Sequence, residues 1–173
     1  GICKFHLMAY DDALSDFEKT LDLSLSHSEA YYNRGKTHFK LRHYQKAIND
    51  LRQAQNLGYQ EYQTFLYLGN ALAYTKDYSA AIEAFDKVLS KQPNHIEALN
   101  NRGSAYLQSK KYAKALIDFN RVIQMQPNNK VAYYNRAITN YNLQKTNEAC
   151  RDMRKSSQLG YKKATLRINE VCK

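Results

Sequence analysis

Apolar residues recur three and four apart along this chain, in stretches of about 13 residues broken by short polar links such as Lys76-Asp77 and Lys110-Lys111. That spacing predicts amphipathic helices joined by tight turns, because alternation, the mark of a half-buried strand, is missing. Two consecutive stretches make one unit, and the unit repeats every 34 residues. Tyrosine stands at Tyr10, Tyr44, Tyr78 and Tyr112, and three residues later comes Ala13, Ala47, Ala81 or Ala115; Ala149 continues the alanine series after Thr146. Four residues beyond each alanine is a large apolar side chain: Phe17, Leu51, Phe85, Phe119 and Met153. Twelve before it is a small one: Gly1, Gly35, Gly69, Gly103 and Ala137. A bulky residue, Tyr31, Phe65, Leu99 or Tyr133, lies four positions ahead of that small column.

The columns predict a helical hairpin, repeated. Small side chains let two helix backbones approach, and the bulky columns fill the space between hairpins. A large residue in place of Ala81 or Ala115 would overpack the crossing at a cost of roughly 1 to 3 kcal/mol. Pro93 and Pro127 mark where second helices stop, and Leu-Gly before Tyr59 and Tyr161 marks the same column elsewhere, with glycine as the C-terminal cap.

A second pattern runs through the units. Arg34, Arg102 and Arg136 immediately precede the small column, and Asp50, Asp118 and Asp152 follow sixteen residues later. In the remaining full unit Leu68 and Ala84 replace both members together. Joint gain and loss predicts an ion pair inside each hairpin, since an unpaired charge there would be costly. Asp16 extends the rule to an expected arginine ahead of Gly1 in a longer parent chain.

Small residue, Tyr, Ala, Phe and Pro at these spacings resemble the tetratricopeptide repeat, over almost the whole chain. The resemblance implies an all-α, right-handed α-solenoid of helix-turn-helix repeats. The expected layout is one array over 1–173, with a truncated repeat at 1–27, full repeats at 28–61, 62–95, 96–129 and 130–163, and a capping helix at 164–173. Opening at the glycine column, the chain reads as an excised piece of a longer array. In the last helix Lys162, Lys163, Arg167 and Glu170 are expected to face solvent while Leu166 and Val171 pack inward.

Members of this family usually bind extended peptides or short helices along the surface lined by first helices. Here that surface would carry Asn33, Asn101 and Asn135 in one column, with Tyr67 in the remaining unit. An amide donates and accepts together, matching a peptide's backbone. Around them lie Tyr32, Lys36, Phe39 and Lys40, then Leu66, Asn70 and Tyr74, then Asn100, Ser104 and Gln108, then Tyr134, Ile138, Tyr141 and Asn142. Such a mix supplies contact area with adaptable hydrogen bonds. One known mode of the family, a clamp of asparagines and cations on a peptide's terminal carboxylate, would use Asn70 and Asn101, but Leu66, Val131 and Asn135 stand at its basic positions. Without those cations the charge-assisted bonds cannot form, and chaperone C-terminal tails are not expected as ligands.

Composition alters this picture little. No apolar run approaches the ~20 residues that cross a bilayer, so direct membrane insertion is not expected. The formal charge of +10 suits an acidic protein partner or a nucleic acid. Basic residues are scattered, in runs no longer than pairs such as Lys110-Lys111 and Lys162-Lys163, and only Lys36 and Lys40 lie clearly on the first-helix surface. RNA or another polyanion is therefore the weaker alternative to a protein partner. His6, His27, His38, His43 and His95 read as unrelated surface positions, and no phosphate-cradling glycine loop or embedded nucleophile is present. Neither catalysis nor a cofactor or metal is expected. Cys3, Cys150 and Cys172 lack metal-ligand spacing; a disulfide between the last two would fasten the final helix, yet two reduced cysteines are the favoured expectation.

Overall fold

The computed structural model describes residues 1–172, and the helical spacing becomes eleven helices among them. These are α1 (Ile2–His6), α2 (Tyr10–Leu23), α3 (Ser28–Lys40), α4 (Tyr44–Asn56), α5 (Tyr62–Tyr74), α6 (Tyr78–Lys91), α7 (Ile96–Gln108), α8 (Tyr112–Met125), α9 (Lys130–Asn142), α10 (Thr146–Gln158) and α11 (Lys162–Val171). The described residues hold no strand, and no helix is long and apolar enough to cross a membrane. Two compact units result, Gly1–Lys91 and Gln92–Lys173. In the first, α1 packs on α2, α3 on α4 and α5 on α6, while α2 meets α3, α4 meets α5 and α3 touches α5. In the second, α7 packs on α8, α9 on α10 and α10 on α11, while α8 meets α9 and α7 touches α9.

The repeat columns form the cores of these units. Ala13, Ala47, Ala81, Ala115 and Ala149 are wholly buried, as are Leu51, Phe85, Phe119 and Met153. A Cβ added at Gly69 would stand 2.7 Å from the Phe85 ring, and one at Gly103 would stand 2.7 Å from Phe119. Real Cβ atoms do not approach so closely, so a bulky aromatic at the crossing requires glycine opposite. The last hairpin carries Ala137, and there the facing residue is Met153, whose unbranched chain can turn aside.

Each hairpin turns through one left-handed residue: Met8, Arg42, Lys76, Lys110 and Gln144 have φ between 58 and 66°. The backbone closes as a Schellman motif. After α3, His43 N–H donates to the His38 carbonyl at 2.9 Å and Arg42 N–H to that of Phe39 at 3.0 Å. Between hairpins the left-handed position falls to Gly58 (φ 88°) and Gly160 (φ 80°).

Several side chains depart from their expected places. His27 and His95 are not unrelated surface residues; they hold the same repeat position, where each ring Nδ1 accepts a first-helix N–H, from Ala30 and Ala98 respectively, at 3.2 Å. Asn129 does the same for Ala132 at 3.0 Å. His38 is buried on α3, within 3.8 Å of Asp50. The final helix begins at Lys162, and its inward stripe is Ala164, Ile168 and Val171, so Leu166 is left 83% exposed. The favoured pair of reduced thiols is also corrected. Packing of α11 on α10 brings the Cα atoms of Cys150 and Cys172 to 4.8 Å, and a disulfide joins them, while Cys3 is free and exposed.

Candidate functional site

The odd-numbered helices from α3 to α9 carry the residues singled out for binding, and the two units differ in what they present. On Gly1–Lys91 the surface is aromatic. Tyr32 stacks on Tyr59 with ring centroids 4.9 Å apart and meets Tyr67 edge-on at 6.4 Å. Tyr67 meets Phe39 at 5.5 Å, Phe39 lies 6.0 Å from Tyr74, and Tyr74 stacks on Tyr44 at 4.5 Å. Edge-on and stacked contacts each add to area burial, so this run is a preformed platform. Tyr74, 63% exposed, forms its outer end.

Cations border the platform. The Lys36 ammonium lies 4.1 Å from the centroid of Phe5 and 6.0 Å from that of Tyr32. Burial, with the Lys40 charge beside it, holds its pKa below the ordinary lysine value; Lys40 itself is exposed. Burial among neighbouring tyrosines, Tyr67 foremost, pushes the Tyr32 phenol well above its usual pKa, which keeps it a neutral donor. Asn33 donates to the Glu29 carbonyl one turn back at 3.0 Å. Asn70 is half-buried and already interacts within the protein.

On Gln92–Lys173 the corresponding surface is richer in amides. Asn135 donates to the Ser104 hydroxyl at 3.1 Å and so ties α9 to α7. Asn142 donates to the Ile138 carbonyl at 2.8 Å, and Asn101 is half-buried with a protein interaction of its own. Asn100 turns its carbonyl oxygen inward, buried without a hydrogen-bond partner. Tyr134 accepts from Arg167 at 3.3 Å and packs edge-on against Tyr161, while Tyr141 is 40% exposed. The asparagine column is thus partly occupied by the chain's own groups: Asn33 serves its helix and Asn135 its neighbour. Tyr44 and Tyr59 are residues that sequence reasoning left out of the surface. Both stand in repeat columns that look purely structural, and only their stacking on Tyr74 and Tyr32 brings them to this face.

Behind these surfaces lie the arginines. Arg34 grips Asp50 through two bonds of 2.8 and 2.7 Å, Arg102 grips Asp118 at 2.9 and 2.6 Å, and Arg136 grips Asp152 at 2.7 and 2.7 Å. Each aspartate is buried and each guanidinium half-buried. The bond to Asp50 raises the Arg34 pKa, and that to Asp152 raises Arg136. Arg136 also donates to Asn120 at 2.8 Å. In the hairpin of α5 and α6, Leu68 and Ala84 are both buried instead. Among the described residues no group of three or more His, Cys, Asp or Glu is placed to hold a metal ion.

Comparison with known proteins places this architecture. Two family models, each described as Tetratricopeptide repeat, match residues 66–130 and 28–58. No curated protein matches the chain. Among solved structures, YrrB, described as a TPR protein with an unusual peptide-binding site, is 22% identical with a TM-score of 0.85, over 91% of this chain and 81% of that one. A crystal structure of MamA is 22% identical with a TM-score of 0.83, over 94% of this chain and 95% of its own. MamA from Desulfovibrio magneticus RS-1, from residue 41 onward, is 24% identical with a TM-score of 0.77, over 83% of this chain and 82% of that one. At such identities the likeness is one of fold, an α-solenoid of helical repeats.

Proposed function

The chain belongs to the tetratricopeptide-repeat family, whose members are in general non-enzymatic protein-interaction scaffolds, and we propose that it holds its partner on the first-helix surface of its hairpins. The bound element is an extended peptide or short helix of another protein. One observation carries this reading: a continuous run of rings from Tyr32 through Tyr67 and Phe39 to Tyr74, bordered by Lys36 and Lys40, stands ready-formed on the unit Gly1–Lys91. Rigid aromatic rings give contact area at small entropic cost, which is why they anchor interfaces. The two lysines favour an acidic residue near an apolar or aromatic anchor in the ligand. On the unit Gln92–Lys173, taken by itself, the amides around Asn101 and Asn135 suit a peptide backbone. The peptide-binding site of YrrB supports this reading by analogy of fold.

Panning a random peptide library on the immobilised chain tests it. Selected sequences should share an acidic residue beside an apolar or aromatic one. Their binding should weaken at least about tenfold, the cost of one lost anchor, in a Tyr67→Ala/Tyr74→Ala variant. Undiminished binding by that variant would move the site elsewhere.

A further inference from the structure

The net charge of the chain is unevenly placed. Residues 92–173 contain 15 of the 26 Lys and Arg but 5 of the 16 Asp and Glu, a formal charge of +10; residues 1–91 contain 11 of each and are neutral. The first-helix surfaces do not account for the excess, because their clear cations, Lys36 and Lys40, belong to the neutral unit.

The repeat register shows where some of it goes. Two solvent-facing positions of each second helix can be compared directly: Ser15 and Glu18 on α2, Asn49 and Arg52 on α4, Glu83 and Asp86 on α6, Ile117 and Asn120 on α8, and Arg151 and Arg154 on α10, all exposed. α10 alone in this series puts two guanidiniums there. A feature that recurs in every hairpin serves the scaffold, whereas a departure confined to one hairpin calls for a local reason. Arg34, Arg102 and Arg136 are half-buried and locked to aspartates, but Arg151 and Arg154 stand in water. With Lys155, Asn147 and Gln158 they line a surface hollow of about 690 Å³, whose floor includes the Cys150–Cys172 disulfide. The helix's two acids lie toward its other flank. Asp152 is buried under Arg136, and Glu148 borders a separate hollow with Arg136 and Asn140, which Arg151 also borders.

From this juxtaposition we propose that the outer side of α10 is a second docking surface, and that its occupant is an acidic segment of a partner protein. Charge complementarity selects the sign, and the side chains select the class. Guanidinium forks pair two-fold with carboxylates, and the flanking amides of Asn147 and Gln158 suit a peptide backbone. The residues lining the hollow include no aromatic ring on which a base could stack. A second copy of this chain is a poor occupant, since the +10 unit repels its like and the other unit is neutral. This surface is independent of the first-helix reading and stands or falls separately.

Fluorescence anisotropy on the full chain tests it, with a labelled peptide of alternating Glu and Ala as one probe and labelled oligouridine of matched length as the other. The acidic peptide should bind, more tightly at low salt than at physiological salt. Arg151→Gln/Arg154→Gln/Lys155→Gln should weaken it at least about tenfold. Lys110→Gln/Lys111→Gln/Lys114→Gln, which removes the same charge from the same unit, should leave it within about twofold. Equal loss in both triple variants would reduce the effect to diffuse net charge and overturn the site. Tighter binding of oligouridine that depends on α10 would overturn the peptide as occupant, and no peptide binding at all would overturn the proposal entirely.

Discussion

At the turns the chain holds five side-chain-bearing residues, Met8, Arg42, Lys76, Lys110 and Gln144, in a conformation that glycine adopts more easily. Lys76→Gly should therefore raise stability by about 0.5 to 1 kcal/mol, after the entropy that glycine returns to the unfolded chain; chemical denaturation measures it. The opposite holds at the crossings. Gly103→Ala should cost about 1 to 3 kcal/mol by pressing on Phe119. That cost should shrink in a Phe119→Met background, which copies the Ala137 and Met153 pair of the last hairpin; a double-mutant cycle reads the coupling. His38 adds a pH effect. Burial lowers its pKa, outweighing the pull of Asp50, so the folded state stays neutral where the unfolded chain, near 6.5, takes up a proton. Stability is full above about pH 6.5 and falls as acid is added, until the folded-state pKa is reached. His38→Asn, matching Asn140 at the same repeat position, should flatten that part of the stability-against-pH curve relative to the parent.

Among the helices, α11 differs most from its neighbours because it is fastened by a covalent bond as well as by Ala164, Ile168 and Val171. Alkylation without reductant, followed by mass spectrometry, should label Cys3 and spare Cys150 and Cys172. Closing a loop of 22 residues contributes about 3 kcal/mol in the chain-entropy picture, so Cys172→Ser should destabilise the unit Gln92–Lys173 by an amount of that order. The helices themselves were legible because the 34-residue columns record contacts that every hairpin must make. The bond between Cys150 and Cys172 was not, since two cysteines at unrelated columns reveal nothing about proximity until α11 is docked on α10. Leu166 misled for a related reason. In a ten-residue helix the apolar residues fit more than one stripe, and packing selected Ile168 over Leu166.

At the level of the whole chain, the repeated helical hairpin was readable from spacing and the family from the resemblance of the residues at those spacings, whereas the interaction surfaces were readable only in part. Spacing can place Asn33, Asn101 and Asn135 in one column, but it cannot show that Asn33 bonds to Glu29 or that Asn135 bonds to Ser104. Nor could it gather Tyr44 and Tyr59 into the aromatic run, because rings from different repeat columns meet only after the helices pack. The charge partition was present in the sequence and becomes visible once the boundary between Lys91 and Gln92 is known. Hydrogen exchange with and without a saturating library-selected peptide shows whether a partner is held on the first helices. Protection should be added in α3 and α5, with α4 and α6 unchanged. Protection confined to the second helices would contradict that placement.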